Sequence, residues 1–203
     1  MERNTIIINN DNLRRRAAVP TGVLAVLIIV AVEIMFFGGL ISSFLVQRMT
    51  ASEWPPPGQP NLPVLVTAIN SIFLIISAIT IHFAVWSIKK NPIKLLTTKI
   101  CLFITLFLGI IFIAIQGYEW IKLLSYENPL TINSSLLGAY FYTIIGAHGL
   151  HVIAGLVLLI IVITKLMKGK YNNKSYVGLS VSRIYWFFVV GLWPILYFLV
   201  YLL

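Results

Sequence analysis

Apolar residues in this chain gather into five long runs, at residues 20–46, 62–88, 95–121, 136–164 and 179–203, separated by short polar stretches. Each run is longer than the roughly 20 residues a helix needs to cross the hydrocarbon layer. A backbone in lipid must satisfy its own N–H and C=O groups, so runs of this kind read as transmembrane helices. Pro20 suits the first turn of such a helix, where its missing N–H has no partner to lose. Trp54-Pro55-Pro56-Pro57-Gly58 cannot continue a helix and fixes the first loop, and Asn91-Pro92 marks a turn in the second. The pattern predicts an all-α integral membrane bundle of five helices as a single domain over residues 20–203. A polar, basic tail over residues 1–19 precedes it. No soluble module and no low-complexity tract is visible.

Charge then orients the bundle. The tail carries Arg3, Arg14, Arg15 and Arg16; the second loop and its edges carry Lys89, Lys90, Lys94 and Lys99; the fourth carries Lys165, Lys168, Lys170, Lys174 and Arg183. The first and third loops hold only Arg48 and Lys122. Five crossings place thirteen cations on one side and two on the other, which predicts an N-terminus inside and a C-terminus outside. One helix more or fewer would scramble that alternation.

Composition adds little to this picture but excludes a good deal. Charged residues make up 10% of the chain and hydrophobic ones 59%, against about a quarter charged in soluble domains. The net charge of +9 invites nucleic-acid binding, yet its cations flank apolar spans instead of forming a basic face with interleaved aromatics. The single cysteine, Cys101, can form neither an intrachain disulfide nor a paired metal motif. The run behind the tail is too long for the apolar core of a cleavable signal, so it reads as a mature helix that also directs insertion.

Ionisable groups inside a membrane are costly, so each one within a span is a candidate. Glu33 lies near the middle of the first span, and His148 and His151 near the middle of the fourth, spaced so that they share a helix face. His82 lies toward the inner end of the second span. Glu33 reads either as a proton-handling carboxylate or as a hydrogen-bonded group joining helices or facing a subunit. Glu119, in Gln116-Gly117-Tyr118-Glu119-Trp120, reads as a polar helix end reaching water or headgroups within an interfacial aromatic belt. Three histidines are too few for a di-haem or copper core, and no nucleophile motif or phosphate loop is present. No catalytic residue and no metal site is therefore expected. Gly38, Gly39, Gly146, Gly149 and Gly155 point to close helix packing.

Several segments resemble subunit III of the haem–copper oxygen reductases, in order along nearly the whole chain after the tail. Glu33-Ile34-Met35-Phe36-Phe37-Gly38-Gly39 is similar to the family's S-E-V-x-F-F-x-G segment, and Trp54-Pro55-Pro56-Pro57-Gly58 to its W-P-P-x-G loop. Leu62 to Thr80, with Asn70, Ser77 and Thr80, resembles its second-loop helix, and Gln116 to Trp120 its Q-A-x-E-Y. Gly146 to Gly155 resembles T-G-F-H-G-L-H-V-I-x-G, and Tyr185-Trp186, with Trp193 and Tyr197, resembles Y-W-H-F-V-D-V-V-W-L. Phe187 and Val190 stand where the family has His and Asp, His82 stands where it has a non-histidine, and Pro194 replaces an apolar residue and should kink the last helix.

The resemblance implies a five-helix bacterial form of the family, non-catalytic, in the bacterial inner membrane. It implies an aa3-type cytochrome c oxidase in which haem a and copper belong to partner subunits and none to this chain. It implies packing on subunit I, company with subunit II, membership of a larger respiratory assembly, and support for sustained proton uptake. Bound phospholipid is expected in a cleft dividing a two-helix group, the first and second, from a three-helix group. Glu33 becomes the buried carboxylate of that cleft. His148, His151, Glu119 and Trp54 become lipid or packing residues, and Lys165 stands where the family has a headgroup-binding arginine. A quinol-oxidase subunit III and a subunit associated with a nitric oxide reductase share the fold. Outside the family, a small proton-coupled transporter could use Glu33 and His148, although no internal repeat is visible.

Overall fold

The computed structural model describes residues 19–54, 56, 60, 62–90, 95–126, 128–171 and 176–203. Most of the predicted tail, the body of the Trp54–Gly58 loop and the Asn91-Pro92 turn lie outside the described residues. Five helices follow in order: α1 (Thr21–Thr50), α2 (Val64–Lys90), α3 (Leu95–Leu124), α4 (Leu136–Met167) and α5 (Val177–Tyr197), which widens into a π-helical turn over Phe198–Leu202. All five are long and apolar enough to cross a membrane, as the runs predict. Pro194 lies inside α5, which continues through it to Tyr197.

Local chemistry sets the ends of α4. Ser135 Oγ accepts the backbone N–H of Gly138 at 3.1 Å, which satisfies one of the orphan donors of the first turn. At the other end Gly169 takes φ +69°, a left-handed conformation that only glycine adopts freely, and stops the helix.

The helices do not divide as the resemblance implies. α1 lies against α4 and α5, whereas α2 packs most extensively along α3 and then against α5. The first two helices are thus not a pair set apart from the other three. The reason lies in where the polar side chains sit. In lipid, apolar faces are interchangeable, and interhelical hydrogen bonds with close contacts at small residues select partners. Thr80 and Thr105 share a 2.7 Å hydrogen bond between α2 and α3, and Asn70 Nδ2 donates to the Phe112 carbonyl at 3.0 Å. From α5, Trp186 Nε1 donates to Ser77 Oγ at 2.9 Å and Trp193 Nε1 to Ser71 Oγ at 2.7 Å. α2 is therefore tied to α3 and α5. The polar groups of α1 reach α4 instead, through Glu33 to His151 and Ser43 to Tyr140.

Trp186 is the hub of the bundle. It is fully buried, and its ring fills the space left by two glycines, Gly109 on α3 and Gly155 on α4. A Cβ at either glycine would come within 2.9 and 2.7 Å of the indole. One side chain thus locks α2, α3, α4 and α5 together.

Candidate intramembrane polar site

Glu33 and His151, both singled out by sequence, meet across the α1–α4 contact. Glu33 Oε2 lies 2.8 Å from His151 Nε2. Phe37, one turn beyond Glu33, sets its ring edge against the imidazole at 5.2 Å, and Phe36 stacks at 6.5 Å. The other ring nitrogen, Nδ1, lies 2.7 Å from the carbonyl of Ala147, one turn back along α4.

That carbonyl decides the proton count. A carbonyl oxygen only accepts, so Nδ1 must carry a hydrogen. Nε2 then holds a lone pair in the neutral ring, and a carboxylate also offers only lone pairs. A 2.8 Å contact between them needs one proton, either on the carboxyl or on the imidazole. Both arrangements carry zero net charge, so the proton can sit at either end without leaving an uncompensated charge between the helices. The pair is a single-proton hydrogen bond, partly exposed at the flank of the bundle, with side-chain exposures of 25% for Glu33 and 18% for His151.

His148 shares the helix but not the site. It is buried at 1% exposure, stacked on Trp193 at 5.0 Å with Phe112 edge-on at 6.4 Å. The three-residue spacing turns it toward α3 and α5, while His151 faces α1. His82 is exposed on α2, with its ring parallel to Phe187 of α5 at 6.1 Å. The histidine and the phenylalanine that depart from the family pattern are thus stacked on each other. Among the described residues no three of His, Cys, Asp and Glu gather around a point that could hold a metal ion.

Glu119 departs from expectation. It is buried at 5% exposure and lines a cavity of about 300 Å³ with Lys122 and with Pro63 to Val66 at the start of α2. Trp54 lies just beyond the C-terminal end of α1, edge-on to Phe44 at 5.6 Å, and Phe44 in turn meets Tyr140 at 5.7 Å. Lys165 is exposed on the last turn of α4. Below it, a groove of about 390 Å³ runs between α3 and α4, lined by Phe103, Leu106, Ile160, Ile163 and Met167, with Lys168 at its mouth. Sequence reasoning missed the pairing of Gln116 with Tyr201, at 2.9 Å, and the role of Gly109 beneath Trp186. Both rest on contacts between helices far apart in the chain, for which local sequence carries no signal.

Residues 7–203 match the family described as cytochrome c oxidase subunit III. The chain belongs to that family. It is 37% identical to cytochrome c oxidase subunit 3 of Synechocystis sp. (strain ATCC 27184 / PCC 6803 / Kazusa) over 179 residues, which is 88% of this chain and 74% of the relative. The corresponding protein of Thermostichus vulcanus is 33% identical over 182 residues, 89% of this chain and 87% of its own length. A probable cytochrome c oxidase subunit 3 of Nocardia farcinica is 34% identical over 172 residues, 82% of each chain. Within the subunit III family, then, this is a multi-pass membrane chain whose described residues form five apolar helices, with the Glu33–His151 pair in their bundle.

Proposed function

We propose that this chain is a non-catalytic subunit III of an aa3-type cytochrome c oxidase in a bacterial inner membrane, with its N-terminus on the cytoplasmic side. Haem a and copper reside in partner subunits. The chain packs on subunit I, accompanies subunit II, and takes part in a larger respiratory assembly. The observation that carries a role beyond packing is the single-proton hydrogen bond between Glu33 and His151. Within the pair the proton moves between carboxyl and imidazole at no change in net charge, and a proton-holding pair inside a span suits support of sustained proton uptake by the oxidase. Phospholipid binding is supported by the apolar groove between α3 and α4, whose mouth carries Lys168 close to Lys165 on α4. Hydrocarbon fills such a groove while an anionic phosphate meets the ammonium groups. On this reading lipid lies along the α3–α4 groove near Lys165 and Lys168, not between the first two helices and the rest.

Mild-detergent purification through a tag on this chain tests the assignment, read by a visible difference spectrum and by identification of the accompanying proteins. Haem a and the large oxidase subunits are expected. Haem b and haem o alone would move the chain to a quinol oxidase, and b-type haem with a reductase to the nitric oxide branch. A colourless, solitary chain would overturn the subunit reading and bring a transporter forward.

A further inference from the structure

A second cavity, of about 500 Å³, opens between α3 and α4 at the height of His148. Glycine makes it. A Cβ on Gly146 or Gly149 would meet only the tip of Trp120, at 3.8 and 3.9 Å, and one on Gly117 across the groove would meet nothing. Leu150 at the mouth is 68% exposed, so the cavity faces outward from the bundle.

The walls are mostly apolar; of their polar side chains, Gln116 and Tyr142 are hydrogen-bonded within the bundle, to Tyr201 and to the Leu130 carbonyl. Both ring nitrogens of His148 and the indole N–H of Trp120 are buried and find no hydrogen-bond partner among the described residues. A neutral imidazole offers one donor and one acceptor, and the indole adds a second donor. Buried groups of this kind are nearly always paired, because each one left alone loses its hydration with nothing in return.

Depth narrows the choice of occupant. His148 stands twelve residues after Leu136, or about 18 Å along a helix about 48 Å long, which is well inside the span. A phospholipid keeps its phosphate and ester oxygens at the interface and brings only hydrocarbon to that level. Hydrocarbon would leave the imidazole unpaired. A protein helix can present a hydroxyl or amide at any height, and a glycine-lined trough lets such a helix approach closely. The chain belongs to a family of oxidase subunits, so helices of other subunits are the natural neighbours.

We infer that the α3–α4 face around His148 is where a transmembrane helix of another oxidase subunit docks, inserting a hydroxyl- or amide-bearing side chain into the cavity. That side chain donates to the acceptor nitrogen of His148 and accepts from the Trp120 N–H. The inference rests on the subunit reading above. The two fail separately, because a tagged chain that brings down no oxidase defeats the reading before this face is probed.

The test uses the whole oxidase in its membrane, with a photo-cross-linking residue in place of Leu150. The expected result is an adduct to a mapped transmembrane segment of another oxidase subunit. Gly149→Leu, which fills the trough from a position where its Cβ has room, should then lower the amount of this chain in the purified oxidase at least tenfold at an unchanged level in the membrane. Adducts to phospholipid alone would overturn the inference and make the groove a lipid site. Full retention of the Gly149→Leu chain in the oxidase would overturn it as well. If Gly149→Leu lowers the level of the chain itself, the identity of the Leu150 adduct decides alone.

Discussion

The indole of Trp186 occupies the space that a methyl group on Gly155 would need: a Cβ there would stand 2.7 Å from the ring. Neither partner can yield easily, because Trp186 is fully buried, wedged against Gly109 on its other side and hydrogen-bonded to Ser77. Gly155→Ala should therefore cost about 1–3 kcal/mol, as overpacking of a close-packed interior does. Gly38→Ala, on an open face of α1, should cost almost nothing. Thermal unfolding of the two purified variants compares them directly, and equal midpoints would contradict the hub assigned to Trp186.

Ser77→Ala should be more harmful than its small size suggests. The serine accepts the Trp186 N–H at 2.9 Å, and its removal leaves that donor buried and unpaired. Interhelical bonds of this kind contribute about 1 kcal/mol in membrane proteins. Trp186→Phe at a retained Ser77 would lose ring volume as well, so the informative comparison is Ser77→Ala against Ser77→Thr, which keeps an acceptor. Resistance to denaturing detergent should fall in the first and recover in the second.

The proton shared by Glu33 and His151 separates two substitutions that look alike. Glu33→Gln keeps a donor for His151 Nε2 and should preserve assembly, but its amide cannot release a proton. Glu33→Ala leaves His151 without its partner and should weaken the α1–α4 contact by about 1 kcal/mol. Oxidase carrying Glu33→Gln should assemble normally and lose activity sooner over many turnovers. Unchanged longevity and proton pumping would remove Glu33 from any proton role and leave it as a helix link. A double-mutant cycle with His151→Ala isolates the pair itself.

Lys165 and Lys168 should govern how much anionic lipid travels with the complex. Replacing both with glutamine removes the attraction for phosphate while leaving the apolar groove between α3 and α4 intact. Native mass spectrometry of the oxidase should show less bound anionic phospholipid and unchanged subunit composition. Undiminished lipid would place the headgroup elsewhere.

The residues of the candidate site could be found in the sequence because a membrane makes polar groups conspicuous. Glu33, His148 and His151 stand out in spans that are otherwise apolar, and two of the three meet. Their spacing could not separate them: three residues put His148 and His151 on neighbouring stripes of α4, and only the positions of α1, α3 and α5 send one to a carboxylate and the other to an aromatic stack. Glu119 looked exposed because it lies near a helix end, yet it is buried beside a cavity it shares with the start of α2.

Hydropathy along the chain determined the number, length and rough limits of the helices, because a backbone in hydrocarbon has no other way to satisfy its polar groups. Segment resemblance determined the family. Which helix lies beside which was decided only in three dimensions. Helices that are apolar all round carry no stripe that names a neighbour. The choice falls to a few hydroxyls, amides and glycines, such as Ser77 beneath Trp186 and Gly155 beside it, whose partners lie on helices far along the chain.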